Sequence, residues 1–286
     1  MASLRDIRQK VKGVATTQQI TGAMKMMSTA RLGKAMEAIN LTQAYISKLT
    51  QMVQNIKRAL PDYQHHCLTA REVKKNCLII IGGERGLCGG FNHELNRFAL
   101  KTVREYNPAT TKIIVIGRKA VRYLEHKEVH IDSAFPDLNL KSIDTDLFDV
   151  SEQIFALYKN QEVDEINIVY TSFASPVKKY LTMTRLLPVD TSSLLPEKKG
   201  KNQPCFDFNP SPDALFDELM PRYLRNLLYR AILESSAAEQ SARMTAMTSA
   251  TDRAEEIIED LKLDLNRGRQ ALITREISEV IAGSQA

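Results

Sequence analysis

The chain has 286 residues, 43% of them apolar and 26% charged, with a formal net charge of +5, so it can bury a real core in one large domain or two modest ones. No apolar run approaches the ~20 residues that a membrane-spanning helix needs, and the charges in "MASLRDIRQK" stand where a secretion signal would carry its apolar region. The four cysteines (Cys67, Cys77, Cys88 and Cys205) form no CxxC and are expected to be reduced thiols.

Charge is distributed unevenly. Residues 1–60 carry about ten Lys/Arg against two Asp/Glu, and residues 211–286 about nine against thirteen. The basic and acidic ends could pair with each other, or the basic end could bind nucleic acid or an acidic protein.

Residues 3–58 contain no proline. With Leu4 at position a, the a/d series runs Leu4, Ile7, Val11, Val14, Gln18, Thr21, Lys25, Ser28, Leu32, Ala35, Ile39, Thr42, Ile46, Leu49, Val53, Ile56, Leu60, which is mostly apolar and predicts a coiled-coil helix of roughly 80 Å. Between Gln18 and Ser28 the apolar residues shift to Ile20, Ala23, Met24 and Met27, as if that turn faced something other than the usual partner helix.

Pro61 ends this helix, and from Val73 to about Asp190 the pattern changes. "NCLIIIG", "TKIIVIG", "EINIVYTSF" and "YLTMTRLLPV" read as strands, with "FNHELNRFALKTVREY" and "DLFDVSEQIFALYKN" as amphipathic helices between them. Near-continuous apolar strands separated by helices predict a mostly parallel, three-layer α/β sheet. Residues 191–212, rich in Pro and Gly, read as loop. Residues 213–282 read as one helix of about 70 residues, with its clearest heptad at Ile258, Leu261, Leu265 and Leu272. A helix of that length needs a partner, and residues 3–58 are the candidate. The expected fold is therefore α/β plus long α: an antiparallel two-helix coiled coil formed by both termini on a Rossmann-like three-layer α/β domain. Its segments are 1–60, 61–210 and 211–286.

Three local features invite chemistry. "GGERGLCGGFNHEL" lies between a strand and a helix, where dinucleotide-binding folds cradle phosphate, but its glycines do not make GxGxxG and no GxxxxGK[ST] occurs. A tight, positive-φ packing loop is the better reading, with a nucleotide-dependent oxidoreductase as the competing one. "HHC" at His65–Cys67 has metal-ligand types but no second ligand pair at zinc spacing, so no metal is expected, and the five histidines read as dispersed and solvated. No Ser/His/Asp set, carboxylate pair or HExxH can be assembled, so no catalytic constellation and no cofactor is expected. The basic residues of the first helix (Arg5, Arg8, Lys10, Lys12, Lys25, Arg31 and Lys34) lack interleaved aromatics, which favours an acidic protein partner over nucleic acid.

Two stretches are small and faintly apolar: "ITGAMKMMSTARLGKA", residues 20–35, and residues 237–257 and a few beyond, where Met, Ala, Ser and Thr lie on every face around Met244–Ala250. Close helix packing accounts for Ala30, Ala238 and Ala242. It does not account for Met24, Met26, Met27, Met244 and Met247, which cannot all face one partner and suit a surface that meets several neighbours.

These stretches, together with "ERGLCGGFN" and "NRGRQALITREISEVIAGSQA", resemble the gamma subunits of F-type ATP synthases, in that family's order and over essentially the whole chain. The resemblance implies a rotor with no catalytic residues of its own. Such a subunit stands within the alpha3 beta3 hexamer, meets the epsilon subunit and the c-ring at its foot, and couples proton or sodium flow to ATP synthesis or hydrolysis in the beta subunits. It implies no nucleic acid and no direct membrane insertion, and a peripheral place on the cytoplasmic face of a bacterial plasma membrane. By position it implies alpha/beta contacts at Arg8, Lys10, Met24, Lys25, Arg243, Arg269, Gln270, Thr274 and Glu276. It also implies c-ring contacts at Phe206, Phe208 and Asn209. Five positions depart from the family pattern: Gly22 and Gly33 replace frequent basic residues, Gly268 a usual Ala, Leu265 a common Tyr, and Arg275 a usual uncharged residue. The paired-cysteine insert of chloroplast relatives is missing, which points to a bacterial enzyme without thiol switching.

Overall fold

A computed structural model describes residues 4–59, 65–69, 71–136, 143–189 and 211–284. Two long helices bracket the chain, α1 (Leu4–Ala59) and α5 (Pro212–Ser284). Between them lie β1 (Asn76–Ile81), α2 (Phe91–Glu105), β2 (Thr111–Ile116), α3 (Arg118–His126), β3 (Ser133–Phe135), α4 (Ile143–Lys159), β4 (Glu165–Phe173) and β5 (Lys179–Leu187). The chain divides into two compact units, Arg31–Ala242 and Met1–Ala30 with Arg243–Ala286, and both long helices contribute to each.

In the first unit the strands form one sheet in the order β3-β2-β1-β4-β5. β1 pairs in parallel with β2 and β4, β2 in parallel with β3, and only β5 runs antiparallel, along β4. Alternate side chains explain the apolar runs, because both faces are covered. Ile79, Ile81, Ile114, Ile116, Ile166 and Ile168 pack with Ile46, Val53 and Ile56 of α1, Val150 and Ile154 of α4, and Phe216 and Met220 of α5. On the opposite face Leu78, Ile80, Ile113, Val115 and Val169 meet Ala99 and Val103 of α2 and Ala120 and Leu124 of α3. The expected three-layer α/β arrangement is thus present, and the long helices supply part of one layer.

Three features differ from expectation. β3 is three residues of edge strand, "SAF", too short to show an apolar run. α3 has its apolar residues Ala120, Val121 and Leu124 within nine positions, less than a readable period. Pro221 lies inside α5, which the expectation of one uninterrupted helix overlooks. It leaves a gap in the backbone ladder, and an interior proline costs about 3 kcal/mol of helix. Phe216, Leu219, Met220, Tyr223 and Leu224 are all buried around it, so burial of the surrounding turns outweighs that cost.

The second unit is a two-helix coiled coil. The Thr251 hydroxyl donates to Thr21 Oγ1 at 2.8 Å, and a Cβ built on Gly268 would lie 2.8 Å from Leu4 Cδ2. Leu4 to Thr21 and Thr251 to Gly268 are equal steps in opposite directions, so the helices are antiparallel. On α5 the buried and half-buried positions 247, 251, 254, 258, 261, 265 and 268 form an unbroken heptad. On α1 the a/d positions are buried or half-buried throughout, including Gln18, Thr21, Lys25 and Ser28. Of the apolar residues expected to face something other than the partner helix, Ile20, Ala23 and Met27 are exposed and Met24 is half-buried, while the polar a/d positions stay in the seam. Leu272 keeps the heptad spacing but is 45% exposed.

Candidate functional site

The glycine-rich turn after β1 is built as a packing loop. Leu87 and Gly89 adopt positive φ. A Cβ at Gly82 would lie 2.3 Å from Ala120 Cβ, and one at Gly117 would lie 2.5 Å from the Gly82 carbonyl, so these two glycines let α3 close on the strand ends. Two of the loop's backbone N–H groups, which would meet a phosphate in a dinucleotide fold, are used internally. Glu84 N and Arg85 N donate to the Glu239 carboxylate at 3.2 and 3.4 Å, and Asn92 Nδ2 donates to the Arg85 carbonyl at 2.9 Å. Glu239 comes from α5 and is buried.

Beside this loop, at the C-terminal ends of β1 and β2, lies a cleft of about 630 Å³ lined by Arg31, Lys34, Glu84, Arg85 and Glu239 among others. Open α/β sheets bind ligands in that position. Here the Glu239 carboxylate sits where an anionic phosphate would, and Glu84 faces it. Desolvation, and next the Glu239 charge, raise the Glu84 carboxyl above its ordinary range. The oxidoreductase reading therefore fails on geometry as well as on glycine spacing.

The smooth stretch of α5 divides into two parts. Ala237, Ala238 and Ser241 are fully buried; Ala238 packs on Cys88, Phe91 and Leu95, and Ser241 Oγ donates to the Pro176 carbonyl at 2.9 Å. Small side chains there allow loop and sheet edge to approach the helix, as close packing requires for Ala238; Ala30, by contrast, is exposed. Further along, Met247 enters the coiled-coil seam while Met244 is half-buried. After Gly268 every described side chain of α5 is exposed. That includes the apolar Leu272, Ile273, Ile277 and Val280, at 45%, 47%, 54% and 71%.

A match to the ATP synthase family model covers residues 3–286. The ATP synthase gamma chain of Desulforamulus reducens is 39% identical over all of this chain and 99% of its own. That of Heliobacterium modesticaldum is 36% identical, with the same coverage. The chain belongs to the ATP synthase gamma chain family. Among solved structures, the rotor of Euglena gracilis mitochondrial ATP synthase shares the fold at a TM-score of 0.63 and 18% identity, covering 94% of this chain and 98% of that one. A gamma chain is the central-stalk rotor of the F-type enzyme, a non-catalytic subunit and a peripheral component of that membrane complex. In keeping with this, no described helix is long and apolar enough to cross a membrane.

For a rotor the relevant site is a surface, and the structure distributes the expected contact residues over it unequally. Arg8 and Lys10 are exposed on α1, while Met24 and Lys25 are half-buried. Lys25 occupies a seam position one turn from Thr21, where its stem packs and its charge reaches the edge. Arg243 is buried, only 5% exposed. Arg269, Gln270, Thr274 and Glu276 are all exposed near the end of α5, and the Thr274 hydroxyl donates to the Gln270 carbonyl at 3.0 Å, its own helix supplying the acceptor. Phe206, Phe208 and Asn209 lie outside the described residues.

Sequence reasoning missed two buried carboxylates on α5. Glu239 holds the glycine loop, and Glu234 accepts from Ser172 Oγ at 2.8 Å and from Arg230 Nε at 2.8 Å. Their signal is visible in "ESSAAEQSA": two acids in an otherwise small, uncharged stretch, where an isolated charge implies a waiting donor. The histidines were also misjudged. His93, His126 and His130 are exposed, but His65 is buried and His66 half-buried. They lie in the turn after α1, against Phe216, Phe155 and Tyr158.

Proposed function

We propose that this gamma chain stands within an alpha3 beta3 hexamer, with the segments 1–60 and 211–286 turning against alpha and beta. In this reading the segment 61–210 meets the epsilon subunit and the c-ring. The assembly lies on the cytoplasmic face of a bacterial plasma membrane, and proton- or sodium-driven rotation of the ring is transmitted through the two long helices. Gamma performs no bond chemistry. It biases each beta subunit in turn by making different contacts with its different states, since only a difference in contact free energy shifts a conformational equilibrium.

The observation that carries this reading is the exposed apolar end of α5. A helix that leaves Leu272, Ile273, Ile277 and Val280 45–71% exposed calls for an apolar surface to cover them. Arg269, Gln270, Thr274 and Glu276 sit on the same turns and supply polar contacts that can break and re-form as the helix rotates. Arg8, Lys10 and Lys25 supply positive charge for acidic segments of beta, with Met24 beside them as a compliant apolar contact and Arg243 acting from within the packed helix. The exposed Met26 and Met27 add deformable surface without directional bonds, which would otherwise hold one angle. Phe206, Phe208 and Asn209 are assigned to the ring contact.

The test is photo-crosslinking in the intact complex. The chain, tagged and carrying a photoreactive residue at position 274 or 208, is purified gently from membranes of its own organism and checked for ATP hydrolysis. Position 274 is expected to yield products with alpha- or beta-sized subunits, and position 208 with a c-sized subunit. An active complex in which position 274 gives no such product overturns the contact assignment, and a chain that purifies alone overturns the assembly.

A further inference from the structure

The turn His65–Thr69 brings metal-ligating side chains together in a way its sequence could not show. Single donor atoms from His65, His66 and Cys67 all lie within 4.8 Å of one another. A fourth donor arrives from far along the chain: Asp217 Oδ1, on the second turn of α5, is 3.5 Å from His65 Nε2. His66 Nε2 is buried without a hydrogen-bond partner among the described residues, and Cys67 is fully buried.

We infer that His65, His66, Cys67 and Asp217 form a four-ligand site for one divalent transition-metal ion of the zinc type, tying the segment after α1 to the start of α5.

The donor set suits that ion. Two imidazoles, one thiolate and one carboxylate are borderline-soft ligands in the number that closed, structural zinc sites use. Four protein donors leave no position for substrate, so the site is structural. Binding replaces the Cys67 Sγ–H bond with an Sγ–metal bond and releases that proton to solvent. The thiolate and the Asp217 carboxylate then balance the two positive charges of the ion. Burial pushes the Cys67 thiol up to about 12, a larger effect than the lowering by Arg71 and Lys159, so the ion itself must drive the proton off.

The surroundings hold the ligands in place. Tyr158 Oη donates to the His66 carbonyl at 3.0 Å, Val189 N donates to the Cys67 carbonyl at 2.8 Å, and Leu68 N closes the turn on the His65 carbonyl at 2.9 Å. Cys67 N donates to His65 Nδ1 at 3.3 Å, so in the neutral imidazole Nε2 carries the proton toward Asp217; coordination through Nε2 moves that proton to Nδ1 and gives up the Cys67 contact. The cluster uses none of the residues assigned to rotor contacts, so it stands or falls apart from that assignment.

The test uses the full-length chain, reduced and stripped with chelator, titrated with Co²⁺ and then with Zn²⁺. One equivalent of Co²⁺ is expected to develop a thiolate-to-cobalt charge-transfer band with tetrahedral d–d bands, and Zn²⁺ to bleach both. Cys67→Ser abolishes the charge-transfer band, and Cys88→Ser leaves it unchanged. His66→Gln, a milder change at a half-buried position, weakens affinity by at least the ~10–100-fold that loss of a supporting partner costs and removes the Zn²⁺-dependent rise in Tm. A folded chain that develops no charge-transfer band overturns the proposal, as does a band that survives Cys67→Ser or an affinity unmoved by His66→Gln. An affinity unmoved by Asp217→Asn overturns the tie to α5.

Discussion

At residue scale, Glu239 has the most to lose. Its carboxylate accepts from two backbone N–H groups of the glycine loop, and its side chain is buried. Glu239→Ala leaves those donors without their acceptor and is expected to lower stability by about 2–3 kcal/mol, while Glu239→Gln, which keeps one acceptor oxygen, costs about half as much. Urea unfolding of the three proteins reads the difference directly; equal midpoints would mean the loop is held by its own turns. The glycine spacing in "GGERGLCGGFN" was enough to argue against a phosphate cradle. That two of the loop N–H groups are occupied was not legible, because the acceptor lies more than 150 residues away in sequence.

At element scale, composition and period did most of the work. Heptads over α1 and α5 predicted two long helices, and apolar runs predicted β1, β2, β4 and β5, each signal repeating often enough to be read. β3 and α3 were missed because three and nine residues are too few to establish a period. In the polar stretch Gln18–Ser28 composition pointed the apolar residues away from the partner helix but did not show that the polar positions stay in the seam. The helix keeps its register and buries Thr21 and Ser28 in the seam, satisfying the Ser28 hydroxyl on the Met24 carbonyl at 2.9 Å. Glycines at 13 and 33 of α1 are exposed, and a Cβ there would meet nothing within 4 Å. Gly13→Ala and Gly33→Ala are each expected to stabilise the helix by about 0.5–1 kcal/mol through propensity alone. A rise in Tm for both variants bears this out; a fall in either would expose a contact the isolated chain does not make. Gly268 is different, because its added Cβ would press on Leu4 Cδ2 and Leu4 must rotate to accept it.

At the scale of the whole molecule, stability rests on a sheet covered on both faces, and that carries a pH dependence. Burial, with a smaller contribution from Asp132, pushes the Cys77 thiol up from an ordinary 9.0 to about 12. Because the folded value is the higher one, this contribution is fully present below pH 9 and is lost as pH rises toward 12. Above pH 9 the unfolded thiol ionises first and stability falls by about 1.4 kcal/mol per pH unit from this group alone. Urea midpoints measured across this range for the parent and for Cys77→Ala are expected to differ in slope, the variant being flatter; parallel slopes would remove Cys77 as the cause.

The sequence by itself determined the two long helices, the mostly parallel sheet and, through its terminal motifs, the family and its rotor function, because each is written in local periodicity or in contiguous residues. Only the tertiary structure decided which side chains share a place. Thr21 meets Thr251, Glu239 fills the glycine loop, and Asp217 joins the histidine turn. The exposed end of α5 belongs with these, since Leu272 keeps the heptad spacing and is nonetheless 45% exposed. Pairings of this kind depend on how elements pack across the chain, and no spacing along it encodes them.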